Sequence, residues 1–164
     1  IIAARLRLVA KVALARALRL GGDPAGAAKT LDAAAAQLSE FAPAGDEASR
    51  LQGLLAAVIA DERGDLATAA GDFAAAGAAF DRSIALQGAY LALEPAASLA
   101  RRDLLWTTLA SARSLKAAGD AAGLKARLGE ACALASDAAL SEYSLFARDA
   151  ETLDALAAQS GVRC

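Results

Sequence analysis

Long segments rich in alanine and leucine alternate along the chain with short polar breaks at Gly-Asp pairs and at proline. Alanine and leucine, two strong helix formers, account for 50 and 26 of the 164 residues. Valine, isoleucine and threonine are sparse, which argues against a β fold. The pattern therefore predicts an all-α protein with helices over 2–20, 24–40, about 47–70, about 73–93, about 98–118 and about 121–138.

A repeat of about 48 residues organises these segments. Gly-Asp pairs begin at Gly22, Gly71 and Gly119, at intervals of 49 and 48 residues. Similar sequences follow the three pairs, and a large apolar residue stands nine positions after each glycine. These apolar residues are Leu31, Phe80 and Leu128. Repetition at a fixed period of this length indicates stacked supersecondary units.

Each unit is predicted to be a hairpin of two helices. Glycine supplies the positive φ that ends the first helix, and the following aspartate caps the second. Pro43 and Pro95 then separate the units. We predict one domain over 1–164, with hairpins at about 2–41, 47–94 and 98–138 and a capping helix at about 141–159. Since there is no initiator methionine, we expect the chain to be a segment of a longer protein.

These features resemble the tetratricopeptide repeat family in its long-spaced bacterial form. In that form a glycine precedes the Gly-Asp turn by seven residues, as Gly64 precedes Gly71. Ala15 and Ala112 occupy the equivalent positions, where small residues permit close helix contact. The sequence 102–104, Arg-Asp-Leu, opens the third unit after the Leu-Glu-Pro turn at 93–95, and the segment 71–120 matches best.

The resemblance implies a right-handed α-solenoid that serves as a noncatalytic protein–protein interaction module. Members of the family are commonly regulatory appendages of larger proteins and bind a peptide or protein in a concave groove. We expect this chain to be such a sensor or regulatory appendage of a larger bacterial protein. A fold-level resemblance does not name the ligand.

The first helix of each hairpin is expected to line the inner face. Counting helical turns toward that face selects twelve residues, among them Val12, Glu62, Thr68 and Leu109. The other eight are the partner-binding candidates. They are Arg16, Arg19, Asp61, Asp65, Arg102, Trp106, Arg113 and Lys116. The resulting order of basic, acidic and basic rows suits an extended protein segment of mixed charge better than a nucleic acid, which requires uniform positive charge.

Two local alternatives stay open at this point. Trp106 is either a core residue or the partner of Arg102 in a cation–π contact. The carboxylates of Asp61, Glu62 and Asp65 form either a solvated acidic helix face or part of a cation site. The solvated face is favoured, because two or three carboxylates do not complete the coordination shell of a cation.

The composition excludes several kinds of chemistry. The chain has no histidine, so a Ser-His-Asp triad, a Cys-His dyad and a histidine-bearing zinc site are all ruled out. We predict no enzymatic activity, no cofactor and no metal. Cys132 is expected to be a small buried hydrophobe and Cys164 an unpaired terminal residue, without a disulfide. Unpaired cysteines are typical of proteins in the reducing cytoplasm, so we expect a cytoplasmic location.

Residues 1–20 carry five cations and no acid, although the net charge of the chain is only −2. Five charges in twenty residues argue against a membrane span. The cations scatter around the helix axis, so we expect them to be solvated and not to form a nucleic-acid or lipid surface. The leucines of this helix support an alternative function, in which terminal helices pack against other domains or a second copy.

Overall fold

The structure is a computed structural model that describes residues 2–40, 45–136 and 146–164, with side chains from residue 5 in the first range and from residue 149 in the last. Every regular element in these ranges is a helix. The seven helices are α1 (Ile2–Leu20), α2 (Pro24–Glu40), α3 (Asp46–Ala70), α4 (Phe73–Leu93), α5 (Ser98–Ala118), α6 (Ala121–Ala135) and α7 (Phe146–Gln159). The all-α prediction is confirmed for the described residues. The predicted ends of the first and third hairpins and the start of the capping helix lie outside them.

The Gly-Asp turns have the predicted geometry. Gly22, Gly71 and Gly119 have φ of +85°, +76° and +75°, in the region that favours glycine. At the Gly71 turn, the glycine amide donates to the Thr68 carbonyl at 3.1 Å and the next amide donates to the Ala67 carbonyl at 2.9 Å. This pair of bonds satisfies carbonyls at the helix end, and the other two turns repeat it.

The aspartate of each turn caps the next helix. In the three turns it accepts a hydrogen bond from the backbone amide three positions further on, at 2.8 to 3.0 Å. The acceptors are Asp23, Asp72 and Asp120. Such a bond satisfies one of the backbone donors that a helix start leaves without a partner.

The chain divides into two units, Ile1–Leu86 and Gln87–Cys164. In the first unit, apolar side chains of α1, α2 and α3 form one buried cluster. Its members are Leu8, Val12, Ala15, Leu31, Ala34, Leu38, Leu55 and Ile59. Phe80 of α4 is fully buried and packs against Gly64 of α3, where an added Cβ would lie 2.6 Å from its ring. The predicted small residues at Ala15 and Gly64 and the predicted filling by Leu31 and Phe80 are therefore confirmed.

The second unit has its own core. Apolar side chains of α5, α6 and α7 meet in a buried cluster, which confirms the predicted burial of Leu128. The cluster consists of Leu105, Leu109, Ala112, Leu124, Leu128, Ala131, Leu153 and Leu156. Gln87 of α4 joins this unit by donating from Nε2 to the buried Thr107 hydroxyl at 2.9 Å.

The two cysteines overturn a sequence prediction. Cys132 of α6 and Cys164 at the end of the chain form a disulfide, with Cα atoms 5.2 Å apart. The expectation of unpaired thiols was wrong because α7 turns the chain back and brings residue 164 beside α6.

Candidate functional site

Four charged side chains of α1 and α3 meet in an ion-pair network. Arg16 Nε and Arg19 Nε donate to the two carboxylate oxygens of Glu62, at 2.8 and 2.7 Å. Arg19 also donates from Nη2 to Asp65 at 2.9 Å. Glu62 is only 1% exposed, so its charge is buried and depends on the two guanidinium groups.

In this network the cations of the first predicted row of the inner face, on α1, are paired with carboxylates of α3, the helix that carries the second, acidic row. The hydrogen bond to Glu62 raises the pKa of Arg16 above its ordinary value, burial opposes this, and the nearby carboxylates of Asp61 and Asp65 add to the increase. The prediction of a solvated acidic face was wrong at Glu62, and the prediction of solvated cations was wrong at Arg19, which is largely buried. Periodicity placed these residues on the correct helices, but only the packing of α1 on α3 pairs them.

The third predicted row lies on α5 in the second unit. The Arg102 guanidinium carbon is 4.8 Å from the centre of the Trp106 ring, and Trp106 is 44% exposed. The cation–π alternative is therefore the observed one, and Trp106 is not a core residue. Arg113 is exposed, and the Lys116 ammonium donates to the side-chain oxygen of Gln159 in α7.

An open groove of about 680 Å³ lies on the opposite side of α3. Its floor is α3, and α2 and α4 form its walls. The part of α3 that lines it combines the small residues Gly53, Ala56 and Ala60 with the larger Gln52, Ile59 and Arg63, and Leu38 of α2 and Leu86 of α4 also line the groove. Lining residues include Ala35, Ser49, Gln52, Gly53, Ala56, Ala60, Ala78 and Ala79. Arg63 and Arg82 bring positive charge to one end.

The structure distinguishes two glycines of α3 that the sequence presents alike, and sequence reasoning therefore missed this groove. At Gly53 an added Cβ would have no atom within 4 Å, whereas at Gly64 it would collide with Phe80. Both glycines belong to α3, yet only one marks a close helix contact. The other marks empty space between α2 and α4.

The two arginines of the groove, Arg63 and Arg82, differ in their ion pairing. Arg63 donates to Asp32 of α2 at 2.7 Å, but both side chains are substantially exposed, and such surface pairs contribute little. Arg82 is exposed and forms no ion pair with any described residue. Both guanidinium groups are therefore available to a carboxylate that enters the groove.

The fold and these surfaces define the chain as an all-α protein built of consecutive packed helices. No protein-family model, curated protein or solved structure matches it. In the described ranges, no group of three or more Cys, Asp or Glu side chains is placed to hold a metal ion. Nor does any described helix combine the length and apolar character needed to cross a membrane.

Proposed function

We propose that this chain is a noncatalytic protein–protein interaction module of the tetratricopeptide-like kind, a right-handed α-solenoid of about three hairpins with a capping helix. The three Gly-Asp turns support this, because each has the same glycine conformation and the same aspartate cap. Repeated helical hairpins are typical of proteins whose extended surfaces bind other proteins.

The open groove on α3 is the binding surface that carries the proposal. From Ser49 to Arg63 it follows about 21 Å of helix, at 1.5 Å per residue. An extended segment of about six residues spans that length. Because Gly53, Ala56 and Ala60 form the middle of the floor, a peptide backbone approaches closely there, and the arginines at one end select carboxylates.

The ligand class that fits is thus an acidic, extended protein segment with small or unbranched side chains. Charge pairing at the exposed Arg82 sets specificity and association rate more than affinity. The ion-pair network on the other face of α3 is closed on itself and offers fewer free charges to a partner.

The test begins with random peptides displayed on phage and selected against the immobilised chain. Selected peptides are then synthesised and titrated by fluorescence anisotropy against the wild type and three variants. Gly53→Leu fills the groove, Arg82→Glu reverses its charge, and Gly77→Leu is the matched control on α4, where an added Cβ also meets nothing within 4 Å.

We expect acid-rich peptides whose affinity falls at least about tenfold in Gly53→Leu and about threefold in Arg82→Glu. Gly77→Leu should bind them as the wild type does. Failure to enrich any peptide, or peptides that bind Gly53→Leu normally, would contradict the proposal.

A further inference from the structure

A second surface, separate from the groove, lies on the outward face of α1. Leu6, Val9 and Leu20 are 63%, 47% and 73% exposed. They belong to a stripe that contains no charged residue and continues through three exposed alanines, Ala10, Ala13 and Ala17. A continuous apolar face on a helix of 19 residues is typical of a surface that another element covers.

The internal repeat indicates which kind of element covers such a face. The 49-residue spacing of the first two Gly-Asp turns places Leu6 of α1 at the position of Leu55 in α3, and Ala10 at that of Ile59. Leu55 and Ile59 are buried, in a cluster with Leu31 and Leu38 of α2. The part of the α1 face around Leu6 and Ala10 therefore corresponds to a part of α3 that packs against another helix, whereas Val9 corresponds to Val58, which is exposed in α3.

The charges beside the stripe specify that helix further. Arg5 and Arg7 are exposed on either side of Leu6, and neither forms an ion pair with a described residue. The contact between α2 and α3 offers a precedent, because there Asp32 of α2 reaches across to Arg63 of α3 at 2.7 Å. A covering helix with carboxylates beside its apolar stripe would pair with both arginines in the same way.

We propose that the outward face of α1 binds an amphipathic helix similar to α2, with a stripe of leucine and alanine flanked by acidic residues. Helices that lie on membranes bury Trp, Phe and Leu. Half of the α1 stripe is instead alanine, and the stripe contains no aromatic residue. Small side chains let a second helix approach closely, as they do where α3 meets α4.

The probe is a hydrocarbon-stapled, fluorescein-labelled 17-residue peptide that repeats the leucine and alanine stripe of α2 and carries glutamates beside it. A matched peptide carries lysines in their place. The staple is needed because an isolated helix of this length is marginal in water. Anisotropy titrations compare the wild type with Leu6→Glu, with the double variant Arg5→Glu, Arg7→Glu, and with Val58→Glu, an exposed apolar position on α3.

We expect the acidic peptide to bind at least about tenfold more tightly than the lysine peptide. Leu6→Glu should weaken it at least about tenfold, and the double variant should invert the preference between the two peptides. Val58→Glu and Gly53→Leu should leave binding unchanged, so a failure here is distinguishable from failure of the groove.

Three outcomes would overturn the inference. The first is equal binding of the two peptides, and the second is binding indifferent to Leu6→Glu. The third is evidence for another occupant of this face. Such evidence would be binding of phosphatidylglycerol vesicles that depends on Leu6, or a dimer in sedimentation velocity that Leu6→Glu dissociates.

Discussion

Gly64 and Phe80 lie at the contact between α3 and α4, and a one-methyl substitution there has a calculable consequence. In Gly64→Ala the new Cβ would lie 2.6 to 2.7 Å from the Cε1, Cδ1 and Cζ atoms of the Phe80 ring. Carbon atoms prefer separations of about 3.5–4.0 Å, so ring or helix must move by about 1 Å. The ring is fully buried and has no solvent to turn into.

The magnitude follows from two opposing effects. Replacing glycine by alanine within a helix gains about 1 kcal/mol. Overpacking of a buried contact costs about 1–3 kcal/mol, and the upper half of that range applies because three ring atoms are overlapped. We therefore expect Gly64→Ala to lower the free energy of unfolding by about 1–2 kcal/mol. The same substitution at Gly53, in the same helix but beside open space, should raise it by about 1 kcal/mol.

The assay is urea denaturation followed by circular dichroism at 222 nm, arranged as a double-mutant cycle. Phe80→Leu removes the Cε and Cζ atoms, so in that background Gly64→Ala should become neutral or stabilising, with a coupling energy of about 1–3 kcal/mol. If Gly64→Ala stabilises the wild type as much as Gly53→Ala does, or if the cycle is additive, then α3 and α4 do not meet at this contact.

Three further predictions concern other parts of the chain. Glu62→Ala should lower the free energy of unfolding, measured in urea, by about 2–4 kcal/mol, because the largely buried Arg19 loses this carboxylate and keeps only its pairing with Asp65. A loss below about 1 kcal/mol would mean that the Glu62 carboxylate is solvated. Cys164→Ser should lower the free energy of unfolding of the second unit by about 3–4 kcal/mol, the chain-entropy value for a separation of 32 residues. Denaturation followed by the fluorescence of the only tryptophan should give the same loss for the wild type in the presence of reductant. Equal stability with and without reductant would argue against the disulfide. Reversing the charges of Arg113 and Lys116 together should leave the melting temperature nearly unchanged, because both side chains are exposed. A partner that binds the inner face should associate with this double variant more slowly at low salt. Association that does not depend on salt would exclude that face.

The helices and their turns could be predicted from the sequence because their causes are local. A glycine with positive φ followed by a capping aspartate acts within one turn, and alanine and leucine favour helix wherever they stand. Positions such as Phe80 and Leu128 were predictable as well, because a repeat places equivalent residues in equivalent surroundings.

The remaining features depend on which helix packs beside which. Glu62 has the sequence context of a solvated carboxylate, and only the approach of α1 makes it a buried partner of two arginines. The return of the chain through α7 pairs Cys132 with Cys164 across 32 residues. Gly53 and Gly64 are the same residue in the same helix, but one borders a groove and the other touches an aromatic ring. Local propensity determined each helix, whereas contacts between residues distant in sequence decided which charges are buried, which cysteines meet and which surfaces stay open, because these depend on distances that no local pattern contains.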